Sequence, residues 1–245
     1  MLAWNSRLTL IYFLIVSLAV ASILLGFSGA YYILNLFIVP VLIFGLIGKF
    51  KSSFHPLIPL MLIATFFAFL GDILFSVPIE KSLFNTIGIC TFIAAQTCYG
   101  LLFYYSATIN KNTSHPPLYK RWPEALAFIS VLFSSIIVLP KTGEFMIPSL
   151  IYAIIGTAAL IMALNRRFYV SKESYFKVIS GVLCFYISDV VTGFDMYAEN
   201  KMNIAVITLL YSLGHFLIIK GILIQVDEVP EEKDFEKFYS SITNK

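Results

Sequence analysis

Two aspartates, Asp72 and Asp189, sit inside stretches that are otherwise apolar, and Gln96, Tyr99, Tyr186, Tyr211 and His215 do the same. An ionisable side chain among lipid-facing helices costs at least ~2.5 to 3.5 kcal/mol, so each such group needs a partner, a water-filled hollow or a task. Two carboxyls close together in a low-dielectric hollow cannot both ionise; one keeps its proton near neutral pH while the other stays charged. That pairing supplies an acid and a base at once. It suits hydrolysis of a bond that breaks through an oxocarbenium-like state, with one group donating a proton and the other activating water. An ether or vinyl ether of a lipid meets that description. A metal hydrolase fits poorly, because zinc takes three or four converging His, Cys or carboxylate ligands. Only His215 lies in an apolar run, with His55 and His115 in linkers. No nucleophilic triad is apparent.

The elements that must hold these groups follow from composition. The 245 residues are 59% hydrophobic and 13% charged, with a mean hydropathy of +0.86, whereas soluble domains carry about 25% charged residues. Spans of about 20 apolar residues cross the hydrocarbon layer as helices, and eight are readable: 8–26, 31–48, 57–77, 83–106, 124–140, 147–165, 175–193 and 202–225. Breakers or charges mark each joint, as at Phe27-Ser28-Gly29 and Lys49 to Pro56. The expectation is an all-α polytopic membrane helix bundle, a single transmembrane domain over 1–225 with an acidic tail over 226–245. Too little chain remains for a soluble catalytic domain, a nucleic-acid-binding module or a disulfide-stapled secreted fold. The first span resembles a signal peptide at Ala19-Val20-Ala21, but its apolar run continues through Leu25, so it reads as permanent.

Depth and face then organise the polar residues. Asp72 and Asp189 lie five and four residues before the ends of spans three and seven, which run in the same direction. Gln96 and His215 each lie thirteen residues into spans four and eight, near the midplane. Gly71-Asp72 is followed by Gln96 after 24 residues, and Ser188-Asp189 by His215 after 26, a pattern that points to a tandem repeat of four-helix units. Thr208, Tyr211, Ser212 and His215 form one stripe; Thr65, Phe69, Asp72 and Ser76 form another, and Gln96, Tyr99 and Gly100 a third. Such stripes line interior cavities. The plainer reading is interhelical hydrogen bonding without chemistry.

Eight spans place both termini on one side. That side carries nine Lys and Arg before the tail, counting Arg166 and Arg167 as loop residues, against three on the other, so the positive-inside rule puts the termini in the cytoplasm. Lys177 and Lys220 lie close enough to span ends to snorkel. In the tail, Phe235, Phe238, Tyr239 and Ile242 follow helical spacing and suggest a short amphipathic helix on the membrane surface. Cys90, Cys98 and Cys184 read as small buried hydrophobes, with no C-x-x-C motif.

The stretches Phe69-Leu70-Gly71-Asp72-Ile73-Leu74, Phe92 to Tyr99, Phe185-Tyr186-Ile187-Ser188-Asp189 and Tyr211 to Ile218 resemble the YhhN family of lysoplasmalogenases, which are multi-span membrane proteins. The resemblance covers spans two to eight. It implies metal-independent, cofactor-free hydrolysis of the vinyl ether bond of lysoplasmalogens, releasing a fatty aldehyde and a glycerophospho-alcohol. Asp72 falls on the family's Gly-Asp motif and Asp189 on its Ser-Asp motif. Where the family usually reads His-x-x-Tyr this chain has Gln96-x-x-Tyr99, and where it usually has Lys-Pro this chain has Val39-Pro40. The resulting expectation assigns catalysis to Asp72 and Asp189, and water or glycerol orientation to Gln96, Tyr99, Tyr211 and His215. The partners expected are a lysophospholipid substrate and the surrounding membrane lipids. Paired intramembrane acids with an internal repeat also describe a proton-coupled transporter or a lipid-binding membrane protein without hydrolytic activity.

Overall fold

The computed structural model describes residues 6–52, 55–76, 81–109, 117–194 and 200–228. Eight long helices account for nearly all of them: α1 (Ser6–Leu24), α2 (Ser28–Ser52), α3 (Leu57–Ser76), α4 (Lys81–Ile109), α5 (Trp122–Val138), α6 (Met146–Asn165), α7 (Lys172–Phe194) and α8 (Lys201–Glu228). Each is long and apolar enough to cross a membrane, and the chain is an integral multi-pass membrane protein. Segments 229–245, and with them the expected amphipathic tail, lie outside the described residues.

Local chemistry explains the joints. Gly26 adopts φ +87° between α1 and α2, a left-handed conformation that side-chain-bearing residues rarely take. At the start of α5, Pro123 occupies the first turn, where its missing N–H removes no helical bond. Pro40 lies within α2, which continues past it, as helices with protein neighbours in a membrane can. The helices α4 and α8 outrun their apolar segments, because Lys81, Ser82, Thr108 and Asp227 continue the helix rather than ending it.

The most extensive helix contacts join α7 to α8 and α3 to α4, followed by α4 to α6 and α1 to α2. Glycine makes the first of these possible. A Cβ on Gly181 of α7 would stand 2.7 Å from the Gly214 carbonyl oxygen of α8, and a Cβ on Gly214 would stand 2.9 Å from the Gly181 carbonyl oxygen. Without a hydrophobic force between helices in lipid, backbone approach of this kind holds the pair.

Packing is uneven along the membrane normal. The fully buried apolar side chains Leu42, Leu46, Leu57, Ile58, Met61, Leu102, Ile218 and Ile222 belong to the ends of helices on the side that bears the termini. In that same half lies Arg166, counted above as a loop cation but wholly buried. Its Nε donates to Ser106 Oγ (2.7 Å), and its Nη2 donates to Ser174 Oγ (2.9 Å) and Gln225 Oε1 (3.0 Å). Ser106 Oγ also donates to Gln225 Oε1 at 2.5 Å, and Gln225 Nε2 returns a bond to the Ser106 carbonyl. One guanidinium therefore ties α4, α7 and α8 to the end of α6, and its five-donor fork suits a cluster of acceptors that a loop position would not offer. The topology count loses one residue and keeps its sign. Its neighbour Arg167 grips Glu124 through two bonds (2.9 and 2.8 Å), pinning the start of α5 to the end of α6. The cysteines also depart from expectation: Cys90 is exposed, and Cys98 and Cys184 are only partly covered, all three with free thiols. Apolar outer faces in a membrane protein meet lipid, so burial is not required of a small hydrophobe there.

Candidate active site

In the half away from the termini the helices diverge around a cavity of about 490 Å³. It is built from α2 through α8, and all six residues singled out from the sequence, Asp72, Gln96, Tyr99, Asp189, Tyr211 and His215, line it. The two aspartates enter it from α3 and α7. Both are half-buried, as groups facing a hollow inside a bundle should be.

Each carboxylate has its own tyrosine. Tyr211 of α8 donates to Asp72 Oδ2 at 3.0 Å, and Tyr152 of α6 donates to Asp189 Oδ2 at 2.9 Å. Behind Tyr152, Gln96 Nε2 of α4 donates to its hydroxyl at 3.0 Å. Gln96 thus reaches Asp189 through one intermediary. Among the described hydrogen bonds none joins the two aspartates directly; they share the cavity, not a proton bridge.

A second relay lies deeper. Tyr99 Oη and His215 Nδ1 are 3.0 Å apart, and Tyr99 Oη lies 3.3 Å from Thr65 Oγ1, which itself donates to the Met61 carbonyl at 2.8 Å. His215 is fully buried, and its Nε2 has no hydrogen-bond partner. The imidazole is held by rings: Phe185 and Tyr211 lie edge-on to it, with centroids at 4.7 and 4.6 Å. Fixed dipoles of this kind cost no reorganisation when charge develops beside them. The described lining contains no Lys or Arg, so the aspartates face hydroxyls, an amide, an imidazole and aromatic faces. Among the described residues no three His, Cys, Asp or Glu side chains gather as a metal-binding group.

Some expected members of the stripes serve packing instead. Gly100 meets Ala159 and Met162 of α6, and the Ser212 carbonyl accepts from Tyr12 of α1 at 2.7 Å. On α3 the lining passes through Ala68, Asp72, Phe75 and Ser76, without Phe69. Tyr186 turns its hydroxyl to α5, donating to Ser134 Oγ (2.8 Å) and the Ser130 carbonyl (3.0 Å).

Sequence reasoning passed over Tyr152 and Tyr31. The signal for Tyr152 is a stripe on α6, Ser149, Tyr152, Ala153 and Gly156, which is small or polar at helical spacing and lines the cavity. Tyr31 of α2 pairs with Thr208 of α8 at 2.9 Å and closes the cavity beside Asn35.

A family model described as the YhhN family matches residues 30–222. No curated protein and no solved structure matches the chain significantly.

Proposed function

The chain belongs to the YhhN family, and from that premise we propose that it is a membrane-embedded, metal-independent hydrolase of the vinyl ether bond of lysoplasmalogens. The observation that carries this reading is that Asp72 and Asp189, on separate helices, line one cavity inside an apolar bundle, each held by a tyrosine hydroxyl. Termini in the cytoplasm, as the loop charges indicate, would put the aspartate layer in the outer half of the membrane.

The chemistry balances with these two groups alone. One aspartic acid protonates the β-carbon of the vinyl ether, leaving an oxocarbenium ion and a carboxylate. The second aspartate takes a proton from water as the water oxygen bonds to that cationic carbon, giving a hemiacetal. The first carboxylate then removes the hemiacetal hydroxyl proton, the second returns its proton to the departing glyceryl oxygen, and aldehyde and glycerophospho-alcohol separate. Both groups end as they began. In the described hydrogen bonds each aspartate uses Oδ2 for its tyrosine, which leaves Oδ1 for water or substrate. Tyr152 and Tyr211 hold the carboxylates in place, Gln96 is a positioning residue acting through Tyr152, and Tyr99 with His215 orients water or the glycerol hydroxyls.

A proton-coupled carrier would use the same acids differently. Carriers commonly unwind a helix at the binding site, whereas α3 and α7 run as regular helices through Asp72 and Asp189. The test is aldehyde release from lysoplasmenyl-ethanolamine by purified protein in detergent. Asp72→Asn and Asp189→Asn should each lower turnover about a hundredfold to ten-thousandfold; undiminished turnover in both overturns the assignment.

A further inference from the structure

A second hollow, of about 580 Å³, lies on the flank of the bundle between α5, α6 and α7. Its walls are almost wholly hydrocarbon: Leu126, Ala127 and Phe133 from α5, Leu160 from α6, and Ile179 and Leu183 from α7. It exists because α5 stands away from its neighbours. Among the residues of α5 only Val131 is buried, and the helix is fixed by polar contacts instead, Glu124 to Arg167 at one end and Ser130 and Ser134 to Tyr186 in the middle.

This groove and the aspartate cavity meet at one side chain, because Tyr186 lines both. On α5 the groove lining runs from Pro123 to Phe133 and the cavity lining from Val131 to Val138, so the two overlap for less than one turn. Along the membrane normal they are stacked: the groove lies toward the side bearing the termini, the cavity toward the other. From Pro123 to Phe133, the extent of the groove on α5, the helix rises about 15 Å, enough for most of a long alkenyl chain.

We propose that this groove seats the hydrocarbon chain of the lysolipid whose polar end occupies the aspartate cavity, with Tyr186 at the junction. The proposal rests on the reading of the cavity as a lysolipid site and adds where the chain goes and which way the lipid points. A chain leaving bulk lipid for a groove of leucines and phenylalanines loses and gains little, since lipid tails are as apolar as those side chains. What the groove supplies is direction. It aligns the chain with the membrane normal and sets the bond next to the headgroup at the level of Asp72 and Asp189, as orientation of a reacting group requires.

The experiment uses the full chain in phosphatidylcholine nanodiscs and a saturated 1-O-alkyl lysophosphoethanolamine with a diazirine at the chain terminus, which cannot be hydrolysed at a vinyl ether. Light should attach the probe to peptides containing Leu126, Leu164 and Ile179, at the end of the groove away from the cavity, and excess lysoplasmenyl-ethanolamine should displace it. Label spread over the outer faces of the helices, or label that does not compete, would overturn the proposal. Ala127→Trp and Leu183→Trp, two independent ways of filling the groove, should each lower the ratio of turnover on long-chain to short-chain substrates about tenfold. An unchanged ratio in both overturns it too. Competed labelling without any aldehyde release would sink the hydrolase and leave the groove standing, whereas aldehyde release with the chain labelled elsewhere would do the reverse.

Discussion

Arg166 and Asp72 are both ionisable residues inside the bundle, and their surroundings could hardly differ more. At the end that bears the termini, Arg166 is closed in on all sides: Nε and Nη2 bond Ser106, Ser174 and Gln225, and only Nη1 is left without a partner. In the opposite half, Asp72 and Asp189 each receive one described side-chain hydrogen bond, and they look onto open space. The first arrangement is what a charge needs in order to hold helices together. The second leaves donors and acceptors for something that is not part of the chain. Ionisable groups in membranes thus separate by whether the protein closes around them or leaves them facing a hollow.

That contrast can be broken by experiment. The largest effect expected is on rate: Asp72→Asn or Asp189→Asn should lose about a hundredfold or more of aldehyde release while thermal unfolding in detergent stays the same or moves upward. A fall in both together would place the aspartates with Arg166. Arg166→Ala should do the converse, removing hydrogen bonds from a charged donor worth about 1.5 to 3 kcal/mol apiece, visible as a lowered unfolding midpoint, with turnover per folded molecule kept. Between these, Tyr152→Phe and Tyr211→Phe remove one hydrogen bond to a charged group each, about 1.5 to 3 kcal/mol, so turnover should drop roughly ten- to a hundredfold. Combining Tyr152→Phe with Asp189→Asn should then give less than the product of the single losses. The smallest change belongs to Gln96→Leu, which acts through Tyr152 and should cost a few-fold in turnover, about 0.5 to 1.5 kcal/mol. In the Tyr152→Phe background it should have no further effect, the hydroxyl it serves being gone.

Hydropathy and joint chemistry located all eight helices, with ends displaced by a few residues where polar residues such as Lys81 and Asp227 extend a helix past its apolar core. The aspartates, Gln96 and His215 stood out because a polar group in an apolar run has few reasons to be there. Arg166 escaped for the opposite reason. Adjacent to Arg167 and at the end of a span, it looks like any loop cation, and only the folding of three other helices around it supplies the acceptors. Tyr152 escaped because a tyrosine in an apolar helix is unremarkable until its hydroxyl has an address, which depends on α6 lying against α4 and near α7. Helix adjacency is not written in hydropathy, and neither is the looseness of α5. The spacing of Tyr12, Val16, Ala19 and Ile23 buries a seam of α1, whereas α5, just as apolar, buries one residue.

The contact of Gly181 with Gly214 has a mechanical meaning. Two peptide planes touching there act as a fulcrum; one turn away along the same helices stand Phe185 and Tyr211, and His215 follows Gly214 directly. A single methyl group inserted at the fulcrum would splay the two rods, and the aromatic rings beyond it would swing apart by a lever's ratio. The width of the cavity's inner end is therefore set by two residues that have no side chain of their own.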